Sequence, residues 1–590
     1  MDPRSAAHVL AQISAYLELQ GASKFKSRAY EQAGRAVAAL DTDDLAVLDR
    51  AGTLADTPGL GPATLAVIRD LNATGESRYL EELRAELPAG LVDLLRIPGL
   101  PTAKIHVLRE SLGIDSVDAL EAAIRDGRLG TLKGFGPKTA AKLLRGIEIF
   151  RTSGSQRLYH HGAIQARALL ESVRSHPDVI RAEIAGSVRR HNEVVGDVDI
   201  VAACRDPQSV AASFANAPGV RSVARNDTTS PSITFADGAH LDLFCTTDDD
   251  FTVALWRATG SAEHVATVLQ LLARKKVALR DVRHSRESGN PYPGEALVDS
   301  AGTRIPIARE SDIYALVDLP IIPAEMREDG QELLQAVRGP IPELIQPADI
   351  RGALHCHSDY SDGKATIAEM AAAARALGWS YIGITDHSKA AFYAGGMLVE
   401  QVLAQHEEID RLNAATPDFR ILKGIEADIL ADGAIDYDQD LLDRFDFVVG
   451  SIHSRFSMDR ARMTERVLRA LDDPHLTILG HPTGRLLLSR DPYPMDMDAV
   501  LEKAVALGVA VELNADPKRL DLDWRILRRA KALGATIAIG PDAHSTKGLE
   551  VMNIGVGIAR KAGIVADDVL NAWDVDAVET FAIARRGVKS

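Results

Sequence analysis

Three stretches of the chain differ in how apolar and polar residues alternate. Up to about residue 150, apolar residues recur at helical spacing, as in 8–17 and 30–40, which predicts amphipathic helices. From about 155 to 250, short apolar runs that predict strands lie between helical segments. From about 350 onwards, apolar runs recur roughly every 30–40 residues between amphipathic segments, a pattern typical of βα units that close into a barrel.

A glycine-containing turn recurs three times in the helical stretch, at 57–64, 97–104 and 132–139. Each copy is typical of a hairpin between two helices. Glycine permits positive φ and lets backbone amides approach a phosphate at a helix N-terminus, so such hairpins bind the DNA backbone without reading sequence. In the middle copy Pro101 replaces the second glycine and removes an amide, which weakens that copy as a DNA contact. The residues that we expect to contact DNA here are Gly59, Gly61, Gly99, Gly134, Gly136 and Lys138.

Cations and an aromatic hydroxyl lie near the start of the second predicted helix. Residues 25–30 read Phe-Lys-Ser-Arg-Ala-Tyr, and we expect Lys26 and Tyr30 to hold a 5′-phosphate of DNA. A solvated helix face is the alternative interpretation, because charged residues cover the outer side of most surface helices.

Two carboxylates two residues apart interrupt an apolar run in the second stretch. Asp197 and Asp199 lie among valines and isoleucine, so the run predicts a buried strand on which both side chains share one face and one metal site. Asp242, which alternates with leucines in a later predicted strand, is the third candidate carboxylate. The segment Ala-Gly-Ser-Val-Arg-Arg at 185–190 predicts a turn that faces a phosphate. Together these features favour nucleotidyl transfer over the alternative, two exposed acids on an edge strand.

Nearly every predicted strand of the third stretch ends in a residue that can bind a metal. In barrels of this kind, active residues gather at the C-terminal ends of the strands. His, Asp and Glu without Cys suit Mn²⁺, Zn²⁺ or Fe²⁺. Nine such groups are too many for one ion and predict a cluster of two or three, which can make hydroxide at neutral pH and clamp a phosphodiester. The alternative for one or two of the histidines is an ordinary core or surface position. The candidate ligands are His355, His357, Asp362, His387, Glu426, His453, His481, Asp542 and His544.

Composition and charge narrow the classes further. The chain has 590 residues, more than the ~250–300 at which one core stops growing, so we expect several domains. There is no apolar run of roughly 18 residues and no signal-peptide pattern, and the three cysteines lack metal or disulfide spacing. We therefore expect a cytoplasmic protein without a membrane partner. The net charge of −16 implies that DNA binding depends on local features and is sensitive to salt.

Residues 1–328 resemble the bacterial family X DNA polymerases, relatives of DNA polymerase beta. The resemblance is carried by the block from Gly186 to Asp199, by the hairpin turns, by Thr-Gly-Ser at 259–261 and by Leu-Pro-x-Ile-Pro at 319–323. Residues from about 345 to 590 resemble a PHP (polymerase and histidinol phosphatase) domain at all nine candidate ligands. This fusion is the architecture of the bacterial PolX family.

The resemblance implies a multidomain α/β protein with a mixed-sheet palm and a distorted (β/α)7 barrel. The implied domains are a helical, lyase-like DNA-binding domain (1–85), helix-hairpin-helix fingers (86–152), a nucleotidyltransferase palm (153–250), a thumb (251–330), a linker (331–348) and a PHP metal-dependent phosphoesterase domain (349–590).

The resemblance also implies two active sites. Asp197, Asp199 and Asp242 would hold two Mg²⁺ or Mn²⁺ ions, with Asp242 near the primer 3′-hydroxyl. The barrel would be a metal-dependent 3′–5′ exonuclease that also cleans 3′ ends or cuts at abasic sites. The implied substrates are dNTPs and gapped or nicked DNA, bound in DNA repair by a nucleoid-associated monomer. The implied triphosphate ligands are Gly186, Ser187, Arg190, Gly196, Gly260 and Ser261.

Several positions depart from the family pattern. His240 and Phe244 stand beside Asp242, where the family has basic neighbours. Val67 stands where polymerase beta relatives have the lyase lysine, and valine cannot form a Schiff base. Arg257 and Ala258 replace the usual Tyr-Phe, and Val265 replaces an asparagine that contacts the base edge. These changes leave open the alternative that the protein is a nuclease whose polymerase half is weak or only binds DNA. A small-molecule phosphatase and a non-catalytic scaffold at DNA ends are further alternatives, opposed by the hairpins and the carboxylate block.

Overall fold

The computed structural model describes residues 3–20, 22–38, 40, 45–74, 77–86, 89–95, 97, 99–153, 156–224, 229–235, 238–283 and 293–586. The chain separates into two compact units, Met1–Gly154 and Ser155–Ser590. Within the described residues, no helix combines the length and apolar character that a membrane crossing needs.

The first unit is helical, as its apolar periodicity predicts. Leu10, Ile13 and Leu17, spaced three and four residues apart, are fully buried in its core, so the helical period of the sequence matches the packed face. The helices are α1 (Pro3–Leu19), α2 (Lys24–Ala38), α3 (Leu45–Arg50), α4 (Pro62–Thr74), α5 (Arg78–Glu86), α6 (Ala89–Leu95), α7 (Thr102–Leu112), α8 (Val117–Arg125) and α9 (Pro137–Ser153), with 3₁₀ turns at Thr53–Asp56 and Arg128–Thr131.

Each of the three glycine turns leads directly into a helix, namely α4, α7 and α9. The first glycine of each turn is left-handed, with φ of 94° at Gly59, 80° at Gly99 and 89° at Gly134. A side chain is strained in this region, which explains why glycine recurs at that position. The predicted hairpin repeat is therefore present in the fold.

The second unit begins with a five-stranded sheet in the order β2-β4-β7-β6-β5. β4 and β7 run parallel, and the other neighbours are antiparallel. The elements are α10 (Tyr159–Arg174), β2 (Val179–Ile184), α11 (Gly186–Arg189), β4 (Val198–Cys204), α12 (Pro207–Ala215), β5 (Val220–Val223), β6 (Ser232–Phe235) and β7 (His240–Thr246), with a separate pair of short strands, β1 (Arg157–Leu158) and β3 (Val194–Val195).

One strand prediction needs correction. The apolar run at 194–201 predicts a single strand that carries both Asp197 and Asp199. The run instead divides into β3 and β4, with a bend at Gly196 and Asp197 just before β4. A glycine inside an apolar run permits such a break.

A helical segment with one hairpin follows the sheet and packs as its own core cluster. Its elements are α13 (Phe251–Thr259), α14 (Ala262–Arg274), β8 (Ala278–Arg283), β9 (Pro293–Val298), α15 (Glu310–Ala315), a 3₁₀ turn (Ala324–Met326) and α16 (Gln331–Arg338).

The rest of the unit is a nearly closed barrel of seven parallel strands that neighbour one another in chain order, so the barrel prediction is confirmed. The strands are β10 (Gly352–Ala353), β11 (Tyr381–Ile384), β12 (Arg420–Asp428), β13 (Phe447–Ser451), β14 (Leu476–Leu479), β15 (Ala510–Asn514) and β16 (Ile537–Gly540). The helices are α17 (Ile367–Ala376), α18 (Val399–Ala415), α19 (Gln439–Leu442), α20 (Arg460–Leu471), α21 (Met497–Leu507), α22 (Trp524–Leu533), α23 (Met552–Lys561) and α24 (Val575–Arg586). The 3₁₀ turns are Pro347–Asp349, Phe392–Ala394, Thr546–Val551, Ala566–Asp568 and Leu570–Ala572.

The first and last strands meet just beyond their C-terminal ends. A parallel bridge joins Cys356 and Ala543. The amide of His357 donates to the Ala543 carbonyl at 2.8 Å, and the amide of Ala543 donates to the His355 carbonyl at 3.3 Å. The barrel therefore closes through backbone that carries predicted metal ligands.

Candidate active sites

The three predicted carboxylates of the five-stranded sheet come together at one end of its parallel pair. Asp199 on β4 is the cross-strand partner of Asp242 on β7, and paired residues share one face of a sheet. Burial raises the pKa of Asp197, and the charge of Asp242 raises it further. Repulsion between neighbouring carboxylates of this kind is relieved by a divalent cation, so this donor set fits the predicted metal site.

Gly186 lies directly against the carboxylate of Asp199. A β-carbon at Gly186 would be 1.7 Å from Asp199 Oδ2, and the φ of Gly186 is 57°. Among the described residues, nothing hydrogen-bonds to the buried hydroxyl of Ser187. The turn at the start of α11 therefore offers a polar group beside the carboxylates, as a phosphate-binding turn requires.

Two further predicted triphosphate ligands, Arg190 and Ser261, have protein partners. Arg190 Nε donates to Glu328 Oε1 at 2.8 Å, and its Nη1 donates to the Thr259 carbonyl at 2.8 Å. Ser261 Oγ accepts from the amide of His264 at 3.1 Å and caps α14. Gly260 precedes that cap, and Gly196 forms the bend between β3 and β4. A triphosphate would compete with Glu328 for Arg190.

The barrel brings all nine predicted ligands to the C-terminal ends of its strands. His355 and His357 follow β10, Asp362 lies on the same loop, His387 follows β11, Glu426 lies in β12, His453 follows β13, His481 follows β14, and Asp542 and His544 follow β16.

Glu426 lies at the centre of this cluster. Its Oε1 is 3.0 Å from His481 Nε2 and 3.3 Å from His453 Nε2, and its Oε2 is 3.0 Å from His387 Nδ1. Burial favours the protonated acid, but the surrounding histidines, above all His453 and His355, hold the pKa of Glu426 well below its ordinary range. A buried carboxylate that stays charged between several imidazoles can bridge metal ions.

Four of the six histidines of the cluster carry buried ring nitrogens without hydrogen bonds to any described residue, namely His355, His357, His387 and His481. Such unpaired groups cost about 1–3 kcal/mol each, which coordination to a metal would remove. Three overlapping sets have donor atoms within 4.8 Å of one another, in agreement with the expected two or three ions. The sets are His357 with Asp362, His387 and His544; His355 with His357 and Asp542; and His387 with Glu426 and His453.

Two carboxylates that contact the predicted ligands were not identified from the sequence. Glu512 Oε1 is 2.6 Å from His355 Nδ1, and Glu512 Oε2 accepts from the amide of His481 at 2.6 Å. Asp428 Oδ1 is 2.7 Å from His453 Nδ1. Carboxylates in this position orient a metal-binding imidazole and raise its basicity. Asp428 could have been identified from the sequence, because it lies two residues after Glu426 and therefore on the same face of β12.

In the first unit, the predicted DNA contacts differ in accessibility. Lys26 is exposed, with Nζ 5.3 Å from the centre of the Tyr79 ring. Tyr30 is only 4% exposed and stacks on Tyr79, so it contributes to packing, and Lys26 remains as the accessible group. Glycines of the third turn and Lys138 are exposed.

The second and third turns pack against each other. Lys104 Nζ donates to the Gly134 carbonyl at 3.4 Å and lies over the Phe135 ring. The side chain of Lys142 lies beside Gly99, where a β-carbon would be 2.6 Å from Lys142 Cε, although Gly99 itself is exposed. These contacts make the two hairpins one tandem unit.

Comparison with known proteins gives two family matches. Residues 353–515 match the PHP domain, and residues 91–148 match the SAM-like helix-hairpin-helix tandem. The matched regions correspond to the first six strands of the barrel and to the packed second and third turns.

Several curated proteins are similar to the chain. The DNA polymerase/3′-5′ exonuclease PolX of Bacillus subtilis (strain 168) is 36% identical over 584 residues, which cover 98% of this chain and 99% of that protein. A probable phosphatase of Thermoanaerobacter sp. (strain X514) is 29% identical over 245 residues, 38% of this chain and 92% of that protein. A probable phosphatase of Shewanella sp. (strain MR-4) is 32% identical over 179 residues, 29% of this chain and 68% of that protein.

Proposed function

The chain belongs to the bacterial PolX family, and from this we propose that it is a DNA repair polymerase that fills short gaps and removes nucleotides from 3′ ends. The observation that carries the proposal is the presence of two separate metal-binding donor sets in one chain. The three predicted carboxylates lie beside the turn of Gly186. Eight of the nine predicted barrel ligands fall in the overlapping donor sets, and the ninth, His481, contacts Glu426.

In the polymerase site, Asp197, Asp199 and Asp242 would hold two Mg²⁺ or Mn²⁺ ions. Such ions, when bound, stabilise both the attacking and the leaving oxygen of a phosphoryl transfer. Asp242 would lie nearest the primer 3′-hydroxyl and orient it. The hydroxyl of Ser187 and the backbone of Gly186 and Gly196 would bind the triphosphate, with Gly260 and Ser261 at its edge.

Arg190 would complete that site after exchanging Glu328 for a phosphate. A guanidinium binds phosphate through two parallel hydrogen bonds, and the partly buried pair with Glu328 already desolvates it. Binding of the nucleotide would therefore include the separation of this ion pair.

In the nuclease site, the nine barrel ligands would hold two or three Mn²⁺, Zn²⁺ or Fe²⁺ ions, which when bound act as Lewis acids on a phosphodiester. Glu512 and Asp428 would fix the rings of His355 and His453. Arg519, whose Nε is 3.6 Å from Asp542 Oδ2, would supply positive charge toward the scissile phosphate. Both 3′–5′ exonuclease activity and abasic-site cleavage would use these residues.

DNA would be held by the helical unit through phosphate contacts of its hairpins and Lys26. The DNA-binding parts would be the domains at 1–85 and 86–152, followed by the palm (153–250), the thumb (251–330), the linker (331–348) and the PHP domain (349–590). A DNA substrate assigns the protein to the nucleoid in the cytoplasm. A monomer is expected, and light scattering of the purified chain tests that expectation.

A second candidate is a PHP nuclease with a weak polymerase half. It is favoured by the ion pair of Arg190 with Glu328 and by the use of Ser261 as a helix cap. Arg257, Ala258 and Val265 favour it as well, since they change the predicted nucleotide pocket.

One assay separates the candidates. A gapped duplex with a labelled primer is incubated with dNTPs and Mn²⁺ or Mg²⁺, using the wild type, Asp197→Ala and His355→Ala. The proposal expects extension that only Asp197→Ala abolishes and degradation that only His355→Ala abolishes. Degradation without extension supports the second candidate. Faster turnover of a small monophosphate ester than of DNA contradicts both.

A further inference from the structure

A short loop of the barrel leaves the metal-ligand cluster at His387 and returns to it. The loop spans 388–397, and the amide of Met397 donates to the carbonyl of His387 at 2.8 Å. A parallel bridge also pairs Ser388 with Met397. Inside the loop, the amide of Gly396 donates to the carbonyl of Ala391 at 3.1 Å. Both ends of the loop are therefore fixed beside a ligand.

The tip of this loop presents two aromatic side chains to solvent. Phe392 is 84% exposed and Tyr393 is 62% exposed, whereas Ala391 and Ala394 on either side are buried. The two rings meet edge to face with centroids 6.1 Å apart. Aromatic residues are usually at least half buried. Two neighbouring exposed rings on an anchored loop add little to the stability of the fold, which indicates a role in binding.

The aromatic pair extends outward from the ligand cluster. The Tyr393 ring lies 6.5 Å from the ring of His453, centroid to centroid. Tyr393 is the ring that contacts the cluster, and Phe392 is the more exposed of the two.

We propose that Phe392 and Tyr393 form a stacking platform for the unpaired bases at the 3′ end of DNA whose phosphodiester lies at the barrel cluster. The proposal rests on the proposed exonuclease function. Every nucleobase has a flat face, so stacking holds any sequence. A base inside a duplex has both faces covered by its neighbours, so the platform selects frayed or single-stranded 3′ ends.

The rings suit a nucleic acid better than an apolar protein segment because of what surrounds them. The neighbouring groups are imidazoles and carboxylates that could hold metal ions, and Lys389 within the loop is half exposed, with Nζ 3.9 Å from Asp436 Oδ1. A nucleotide carries a phosphate next to an aromatic base, so it could place the phosphate at the ligand cluster and the base on the rings.

The test compares two single-stranded oligonucleotides, one with ordinary 3′-terminal bases and one with two abasic residues at its 3′ end. The wild type is expected to degrade the first with a lower KM. Phe392→Ala with Tyr393→Ala should raise that KM roughly fivefold to one-hundredfold and leave the KM of the abasic substrate unchanged. Phe392→Trp, which keeps an aromatic face at the loop tip, should retain the lower KM for the substrate with ordinary 3′-terminal bases. Leu377→Ala, an exposed apolar site at the opposite end of the strands, is the matched control.

A binding measurement gives a readout that does not depend on turnover. With EDTA present, an oligonucleotide that carries 2-aminopurine at its 3′ end should lose fluorescence on binding the wild type, and the double alanine variant should show no such loss. An unchanged ratio of KM values in a variant that still degrades DNA overturns the platform and assigns the rings to another apolar partner. If the wild type degrades no DNA, the exonuclease proposal fails, and the fluorescence alone decides whether the rings stack on bases.

Discussion

Lys561 on α23 of the barrel donates to Glu328, with Nζ and Oε1 2.5 Å apart. The same carboxylate oxygen accepts from Arg190, the residue that ends the turn beside the polymerase carboxylates. Lys561 is 1% exposed and also donates to the Arg190 carbonyl at 3.0 Å and to Asn192 Oδ1 at 2.8 Å. One buried cation therefore connects the nuclease barrel to the polymerase turn.

Replacing that cation should loosen the connection. Lys561→Met removes the donor to four partly buried acceptors, the fourth being the Glu325 carbonyl. We expect a loss of about 1–3 kcal/mol in the free energy of unfolding, measured by urea denaturation. Lys503→Met is the control, because Lys503 pairs with Asp472 at the surface and exposed pairs contribute at most about 1 kcal/mol. Equal losses in the two variants would contradict a structural role for the buried lysine.

The interface between sheet and barrel should weaken in acid. Burial lowers the pKa of His191 to about 4, from an ordinary value of 6.5. The unfolded chain therefore binds a proton that the folded chain excludes, and stability is lost as the pH falls from 6.5 toward 4, by at most about 3 kcal/mol. The charged groups that face His191 are Glu325, which favours its protonation, and Lys561, Arg560 and Arg167, which oppose it.

His191→Phe tests the origin of this acid sensitivity. The ring of His191 stacks on Tyr159, with centroids 4.9 Å apart, and lies against Gly557 of α23. Phenylalanine keeps this packing without a titrating group. Thermal melts between pH 4 and pH 7 should show a flatter profile for the variant, and an identical slope would assign the sensitivity to other groups.

The glycine beside the polymerase carboxylates should tolerate no side chain. Gly186→Ala brings a methyl group onto Asp199 Oδ2, which displaces a metal ligand by about the 1 Å that can cost 10²-fold in rate. Primer extension should fall at least that far, and exonuclease activity should persist. Gly339→Ala, where a β-carbon meets open space, is the control. Normal extension by Gly186→Ala would exclude this turn from the site.

Replacing Glu512, the carboxylate that contacts His355 Nδ1, should impair exonuclease activity and leave gap filling intact. Glu512→Gln removes the charge that orients the ring, and we expect an approximately 10–100-fold loss of metal affinity or activity. The measurement is exonuclease rate against Mn²⁺ concentration, with gap filling as internal reference. Glu502→Gln on the exposed side of α21 should leave both activities intact, and a matching effect of the two changes would contradict the orienting role.

The helical unit should lack lyase chemistry at the family position. Val67 is buried in α4 and has no amine to attack a sugar aldehyde. Borohydride should trap no covalent adduct between this unit and DNA with a 5′-deoxyribose phosphate. An adduct there would contradict the prediction.

Much of the barrel site could be predicted because each ligand follows an apolar run, and parallel strands bring their C-terminal ends together. Glu512 could not, since its partner His355 lies far away in sequence and a carboxylate inside a strand resembles any polar interruption. Tyr30 was expected at a phosphate because periodicity identifies a helix but not which of its aromatic residues is buried.

The pairing of Arg190 with Glu328 could not be predicted from the sequence either, because it depends on how the helical segment after α13 packs against the sheet. The division of the run around Asp197 depends on a single glycine. Both features involve long-range packing that local patterns do not contain.

The seam between Cys356 and Ala543 has a consequence for biosynthesis. The last strand to be made supplies Asp542 and His544 and pairs with the first strand between His355 and His357. Completion of the sheet and completion of the ligand set are therefore one event. A nascent or truncated chain that lacks β16 and the residues after it therefore carries an incomplete ligand set, and the hydrolytic centre can form only together with the complete sheet.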